Sequence, residues 1–392
     1  MADSPTQTSH TARIMAGIPA QNNALYWRLR FSVGDPVAVI ELPADQAKRE
    51  SILILRDIEM SRARQHARID RIACPKDYAP IDGLSGDRET ATAQAAAECL
   101  HRAGVTRVIA DRTLPLIFAE LLRQAGIDVA CDITMNVESR RRKDPTEIAH
   151  LRESQRVTED VMQRACRMIG LASARRDGVL LHDNSPLTSE RVRAAIQHWL
   201  LDLDYTPTSP IVAGGRSGAD CHNDGQGELM TGQPVIVDIF PRSSQSHYCG
   251  DCTRTVVHGD IPDQVLRMHA AVREAKRAAI AAIRAGVVGE AVHASTTQAI
   301  LQRGYSIGLP PEGAPDSYCA LTHGTGHGIG LDVHEPPLLD VNGPELLEGD
   351  VVTVEPGLYR ADIGGIRIED MVVVTKDGSE NLNRLDEGLC WR

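Results

Sequence analysis

Three histidines, His323, His327 and His334, stand within twelve residues, separated largely by glycines. Histidine is the commonest side-chain metal ligand and the usual acid or base near neutral pH. Glycine has no Cβ and tolerates positive φ, so its backbone can approach a ligand closely. Alone, the run looks like a site lining, against the alternative of a glycine-rich surface loop with incidental histidines. The carboxylates elsewhere tip the balance. Asp238 lies in the apolar strand 235–240, and Asp251 just precedes another at 252–257. Glu355 follows Val-Val-Thr-Val, and Glu369 interrupts Gly-Gly-Ile-Arg-Ile-Glu-Asp-Met-Val-Val. A carboxylate in a buried strand is costly unless paired or metal-bound. These four acids and a histidine suit a pair of divalent ions bridged by carboxylates. Such a pair lowers the pKa of water and polarises a carbonyl, which is the chemistry of hydrolysis.

Other chemistries fit less well. Ser185 and Ser209 each precede proline in a turn and lack the G-x-S-x-G setting of a nucleophile. Cys252, next to Asp251 on a strand, should face the opposite way and suits the core. Cys249 and Cys252 form a C-x-x-C with no second pair, which weighs against the usual structural zinc site. Nine cysteines, an odd number without framework spacing, fit reduced thiols in a cytoplasm. With 53 acidic against 42 basic residues and a net charge of −11, no basic excess is available for nucleic acid. The cluster 140–143 is short and reads as solvated. No apolar run reaches about 18 residues, so no membrane span is expected. The first residues lack the apolar core of a secretory signal.

At 392 residues the chain exceeds one ordinary core, so two domains are expected. The sequence suggests a flexible tail over 1–20, a smaller α/β domain over 21–140 and a catalytic domain over 141–392. In the smaller part, 25–31, 36–42 and 51–56 read as strands. Helices 89–103 and 114–124 stop at Gly104 and Gly126, and strands 105–110 and 128–131 follow them. No phosphate-cradling loop occurs there. Asp144-Pro145-Thr-Glu147 reads as a helix start. Beyond it Leu151, Val157, Val161, Met162, Cys166 and Ile169 recur at helical spacing, predicting a helix over 146–169. Helices over 187–203, 262–285 and 291–302 interleave with strands at 209–212, 234–240, 252–257, 351–356 and 365–374. That pattern is α+β with antiparallel hairpins.

Four local motifs now stand together in order: Gly-Asp251-Cys-Thr-Arg-Thr, His323-Gly-Thr-Gly-His327 through His334-Glu, Val-Glu355-Pro-Gly-Leu-Tyr, and Gly-Gly-Ile-Arg367-Ile-Glu369-Asp. They resemble the pita-bread metallopeptidases, the family of methionine aminopeptidase, aminopeptidase P and prolidase, over roughly residues 140–385. The resemblance implies a C-terminal pita-bread domain behind a smaller N-terminal α/β domain. It implies that Asp238 binds one metal through both oxygens, and that Asp251 and Glu369 bridge two ions. His327 and Glu355 would complete the second ion's shell, with Glu355 placed to take the water proton. His222 resembles the substrate-pocket histidine, and His323 and His334 those that contact the peptide and steady the tetrahedral intermediate. Arg367 resembles the arginine that supports the site in proline-specific members. His334-Glu-Pro-Pro and the short Glu355–Glu369 hairpin look most like bacterial Xaa-Pro peptidases. The implied substrate is an Xaa-Pro dipeptide or short peptide, and the implied assembly is a homodimer. The cofactor would be two divalent ions, Mn²⁺ first, with Co²⁺, Zn²⁺ or Fe²⁺ also accepted by such donors.

One departure stands out. Asp238 and Asp251 are thirteen positions apart, two more than is usual in the family. Two extra residues at a hairpin tip preserve which face each strand presents. The insert 241–247 should therefore leave the site intact, while reshaping the pocket mouth. Three rivals stay open: methionine aminopeptidase action, a creatinase-like carbon–nitrogen hydrolase, and a non-catalytic binding module. The full ligand set weighs against the last two, and Arg367 with the extra N-terminal domain against the first.

Overall fold

The computed structural model describes residues 11–43, 49–206 and 208–391. The chain divides into two compact units, one ending at Arg140 and one beginning at Arg141.

In the first unit a six-stranded sheet runs in the order Arg71–Ala73, Ser51–Ile54, Val37–Glu41, Thr11–Gly17, Arg107–Asp111, Asp128–Asp132. Thr11–Gly17 lies inside this sheet, antiparallel to Val37–Glu41 and parallel to Arg107–Asp111. The expectation of a flexible tail over 1–20 is therefore corrected from Thr11 onward; residues 1–10 lie outside the described residues. Ala12, Ile14 and Ala16 are buried on the face that the long helix Arg88–Arg102 covers with alanines. Two of those three side chains are alanine, too small to announce a core strand. The expected strand at 25–31 is instead the helix Asn23–Leu29. Leu25, Trp27, Leu29 and Phe31 alternate, which misled the period-two reading. The cap decides: the Asn22 side chain accepts the Leu25 N–H at 3.0 Å, and Arg30 closes the helix at φ 52°.

The second unit is built around helix Pro145–Gly170. Its start carries a capping box, with Asp144 accepting the Glu147 N–H at 2.9 Å and Glu147 accepting the Asp144 N–H at 3.0 Å. Val157, Val161, Met162 and Ile169 pack on Val235, Val237 and Val256 of a three-stranded antiparallel sheet. That sheet orders Ile211–Gly214, Pro234–Ile239 and Cys252–Val257. Helices Asp263–Ala282 and Gly289–Gln302 cover two further sheets. One of four strands contains Gly357–Arg360 and Gly364–Arg367; one of five contains Val351–Val354 and Asp370–Val374. The expected continuous strand over 365–374 thus breaks at Ile368 and Glu369 and changes sheets. The chain makes the same change at Glu355 and Pro356. Each breakpoint carries a predicted site carboxylate, because a chain leaving its ladder frees a side chain to turn inward.

The histidine run is regular only at its centre, and His323 and His334 lie outside its strand. Gly326–Gly328 is a strand, paired with Glu335–Leu339 on one side and with Val351–Val354 on the other. Its glycines admit neighbouring backbone rather than a ligand: a Cβ on Gly326 would lie 2.0 Å from the Thr353 carbonyl oxygen.

Candidate metal centre

Asp238 pairs with Thr253 near the end of its strand, and Ile239 with Cys252. Asp251 consequently comes opposite Phe240, on the same face as Asp238. The longer hairpin keeps that parity. Its tip docks through the Ser244 N–H on the Asp204 carbonyl at 3.0 Å, and the Cys249 N–H on that of Gly330 at 2.9 Å. Among the described residues, none from 241–250 lines the cavity described below, so the insert does not form the pocket mouth. Asp251 is held from behind by the long helix. Its N–H donates to Gln155 Oε1 at 2.9 Å, and Gln155 Nε2 donates to its carbonyl at 2.7 Å. Gly250 makes that approach possible, since a Cβ there would meet the Thr158 hydroxyl at 2.1 Å.

A cavity of about 360 Å³ collects the predicted residues. Asp238, Asp251, His327, Glu355 and Glu369 line it, together with His222, His323, His334 and Arg367. One donor atom each from Asp251, His327 and Glu369 lie within 4.8 Å of one another. His327 Nε2 is 3.5 Å from Glu355 Oε1 and 3.9 Å from Asp251 Oδ2. Its other ring nitrogen is 3.1 Å from the Gly328 carbonyl, which turns Nε2 toward the acids. Glu369 accepts the Thr253 hydroxyl at 2.9 Å.

The charge balance favours a cation. Arg367 is the single lysine or arginine among the lining residues. It donates to Asp238 Oδ2 at 2.6 Å and to Tyr359 Oη at 3.1 Å. Asp238 Oδ1 is buried and has no hydrogen-bond partner among the described residues. Burial, then the charges of Glu369 and Asp238, push Asp251 well above the usual carboxylate range. Burial and neighbouring acids do the same to Glu369, and burial with Asp238 raises Glu355 to about 7. Burial and His334 lower His327 to about 4, which leaves it neutral, as a ligand must be. A partnerless buried oxygen beside crowded acids and a neutral imidazole fits divalent ions well.

The histidines divide. His222 and His334 are exposed at the cavity wall. The His334 ring meets His327 edge-on at 4.2 Å. His323 is enclosed, its Nδ1 2.7 Å from the Gly324 carbonyl and its Nε2 2.7 Å from Tyr359 Oη. Burial and Arg367 lower it to about 4, so it is neutral. Nδ1 donates to Gly324, and Nε2 accepts the Tyr359 hydroxyl proton. Sequence reasoning missed Tyr359, Thr253 and Gln155 as supports. Tyr359 ends the Val-Glu-Pro-Gly-Leu-Tyr motif and Thr253 lies inside Gly-Asp-Cys-Thr-Arg-Thr, so a local signal existed for both. Gln155 had none.

The profile of metallopeptidase family M24 matches residues 149–376, more than half of the chain. The chain belongs to this family. The uncharacterized peptidase YqhT of Bacillus subtilis is 36% identical over 188 residues, covering 47% of this chain and 49% of that protein. The Xaa-Pro dipeptidase of Pyrococcus horikoshii is 32% identical over 181 residues, covering 46% of this chain and 48% of that protein. The matched stretch spans about half the length of these curated relatives. A solved Xaa-Pro dipeptidase from Bacillus anthracis superposes with a TM-score of 0.77 at 22% identity, covering 96% of this chain and 94% of that one. The pita-bread fold behind a smaller α/β unit, expected from the motifs, is the fold observed. Among the described residues no helix is long and apolar enough to cross a membrane.

Proposed function

We propose that this chain is a two-metal peptidase that cleaves the bond between a first residue and proline in Xaa-Pro dipeptides or short peptides. The observation that carries this reading is the buried, partnerless Asp238 Oδ1 in a cavity whose acids far outnumber its one arginine. Asp238, Asp251, His327, Glu355 and Glu369 would hold the ions. Mn²⁺ is the ion we assign, and Co²⁺, Zn²⁺ and Fe²⁺ suit the same donors. When bound, the ions supply Lewis-acid polarisation of the scissile carbonyl and a lowered pKa for water.

The remaining steps belong to the protein. Glu355, at the edge of the site beside His327, would take the proton of the attacking water and pass it toward the prolyl nitrogen. His222 and His334 present exposed rings to the peptide and steady the developing negative charge. His323 reaches the peptide with its nitrogens only if the Tyr359 hydroxyl turns away. Arg367 holds Asp238 and Tyr359 in place. An Xaa-Pro amide has no N–H, so the ring must be held by shape. Ile211, Phe240, Val333 and Leu338 supply apolar wall for it. The relative from Pyrococcus horikoshii, named an Xaa-Pro dipeptidase, supports this specificity. Nine free cysteines support a reducing, cytoplasmic setting, and the resemblance supports a homodimer.

The test is turnover by Mn²⁺-loaded protein of an Ala-Pro dipeptide, an Ala-Pro tripeptide, a Met-Pro peptide, a Met-Ala peptide and creatine. Cleavage confined to the proline substrates and abolished by Asp251→Ala is expected. Release of methionine from Met-Ala without cleavage of Met-Pro would transfer the reading to a methionine aminopeptidase. Activity on creatine after exhaustive chelation would transfer it to a creatinase-like enzyme.

A further inference from the structure

We infer that Asp340 gives this cavity a preference for peptides with a positively charged side chain next to the proline, an inference that rests on the Xaa-Pro reading above. Asp340 follows directly on strand Glu335–Leu339, in which Leu338 stands opposite His327. The ladder continues past that pair, with the Thr325 N–H donating to the Leu339 carbonyl at 2.8 Å. Strand side chains alternate, so Leu338 and Asp340 share the face of His327. Both line the cavity. Two residues along a strand span roughly 7 Å, so Asp340 stands one to two peptide residues from the acids around His327.

The two oxygens of Asp340 differ. Oδ1 accepts the Val341 N–H at 2.7 Å and lies 3.6 Å from His293 Nε2. His293 is in turn 2.9 Å from the Thr325 hydroxyl through Nδ1. Oδ2 has no donor among the described residues. It rests against Gly324, where a Cβ would lie only 2.9 Å away. The carboxylate thus sits in a slot that a side chain at 324 would close. No lysine or arginine among the described residues pairs with it, and the cavity's one arginine is engaged by Asp238 and Tyr359. Ions held by the five deeper residues would neutralise those acids and leave Asp340 beside the His293 ring with no lysine or arginine partner among the described residues. A half-exposed carboxylate with one free oxygen, facing a peptide-sized cavity, attracts an ammonium or guanidinium and repels a carboxylate.

The test compares Lys-Pro-Ala with norleucine-Pro-Ala, and Ala-Pro-Lys with Ala-Pro-norleucine, on Mn²⁺-loaded protein. Norleucine keeps the chain and removes the charge. In one of the two pairs kcat/KM should favour lysine by roughly three- to tenfold, and that pair tells which side of the proline Asp340 faces. The ratio should fall toward one in Asp340→Asn, and also in wild-type protein as salt is raised. Equal kcat/KM within both pairs overturns the inference. So does an Asp340→Asn variant that loses all four substrates alike with the ratios intact, since Asp340 would then serve the common peptide or the fold. If no peptide is hydrolysed, the Xaa-Pro reading itself falls. Calorimetric binding of the same four peptides then decides the charge preference: tighter lysine binding that Asp340→Asn removes upholds it, and equal binding ends it.

Discussion

Loading the centre with metal should expel protons even at neutral pH. Asp251, Glu355 and Glu369 are all raised above their ordinary values, chiefly by burial and by one another or Asp238. Glu355, at about 7, is half protonated at pH 7 and must surrender roughly half a proton when it takes a cation. Asp251 and Glu369 are raised in the same direction and can only add to that number. An ordinary carboxylate would add nothing, being already ionised at that pH. His327, lowered to about 4, adds nothing either. The linked stability has a definite sign. For Glu355 the folded pKa exceeds the unfolded value of 4.5, so its contribution to the metal-free protein is full below 4.5 and lost as pH rises through about 7. A shift of that size corresponds to about 3 kcal/mol. His323 and His327 run the other way: their contribution is full above 6.5 and lost as pH falls through about 4. The two trends oppose each other between 4.5 and 6.5, so a thermal melt cannot isolate the carboxylates there. Titration calorimetry can. Mn²⁺ binding to chelator-stripped protein, measured at pH 7 in two buffers of different ionisation enthalpy, gives the protons released directly. We expect at least half a proton, and an apparent affinity that climbs from pH 6 to 8. Release of none at pH 7, with an affinity flat across that range, would refute the claim that burial and mutual repulsion hold these acids protonated.

Arg367→Met should leave Asp238 buried and unpaired in the metal-free protein, costing about 3–5 kcal/mol in chemical denaturation. Added metal should recover part of that loss, since a cation replaces the guanidinium beside the same carboxylate. Gly250→Ala drives a methyl into the Thr158 hydroxyl and the Ser154 carbonyl. It should lower stability by about 1–3 kcal/mol and weaken Mn²⁺ binding by shifting Asp251, both read from melts with and without metal.

The gathering of these acids and histidines was legible in the sequence because the cost of burying a charge is local. A carboxylate amid β-branched residues costs free energy wherever the chain goes, so Asp238, Asp251, Glu355 and Glu369 marked themselves. Period-two parity likewise placed Asp238 and Asp251 on one face before any coordinates, and the longer hairpin kept it. Residues 11–31 were not legible in the same way. Ala12 and Ala16 bury too little surface to signal a strand, and alternation in 25–31 imitated one until Asn22 capped a helix. The glycines of the histidine run were read as room for a ligand, whereas Gly326 makes room for the Thr353 backbone.

What tertiary structure alone decided is how the charges are compensated. Gln155 reaches the Asp251 peptide from nearly a hundred residues away, and Arg367 takes one oxygen of Asp238 while leaving the other partnerless. Gly324 leaves room beside one oxygen of Asp340 that a side chain there would fill. Which donor meets which acceptor depends on distances between segments that no local pattern encodes. The residue types could announce that a charge must be answered; only the packing of strands and helix determined by what.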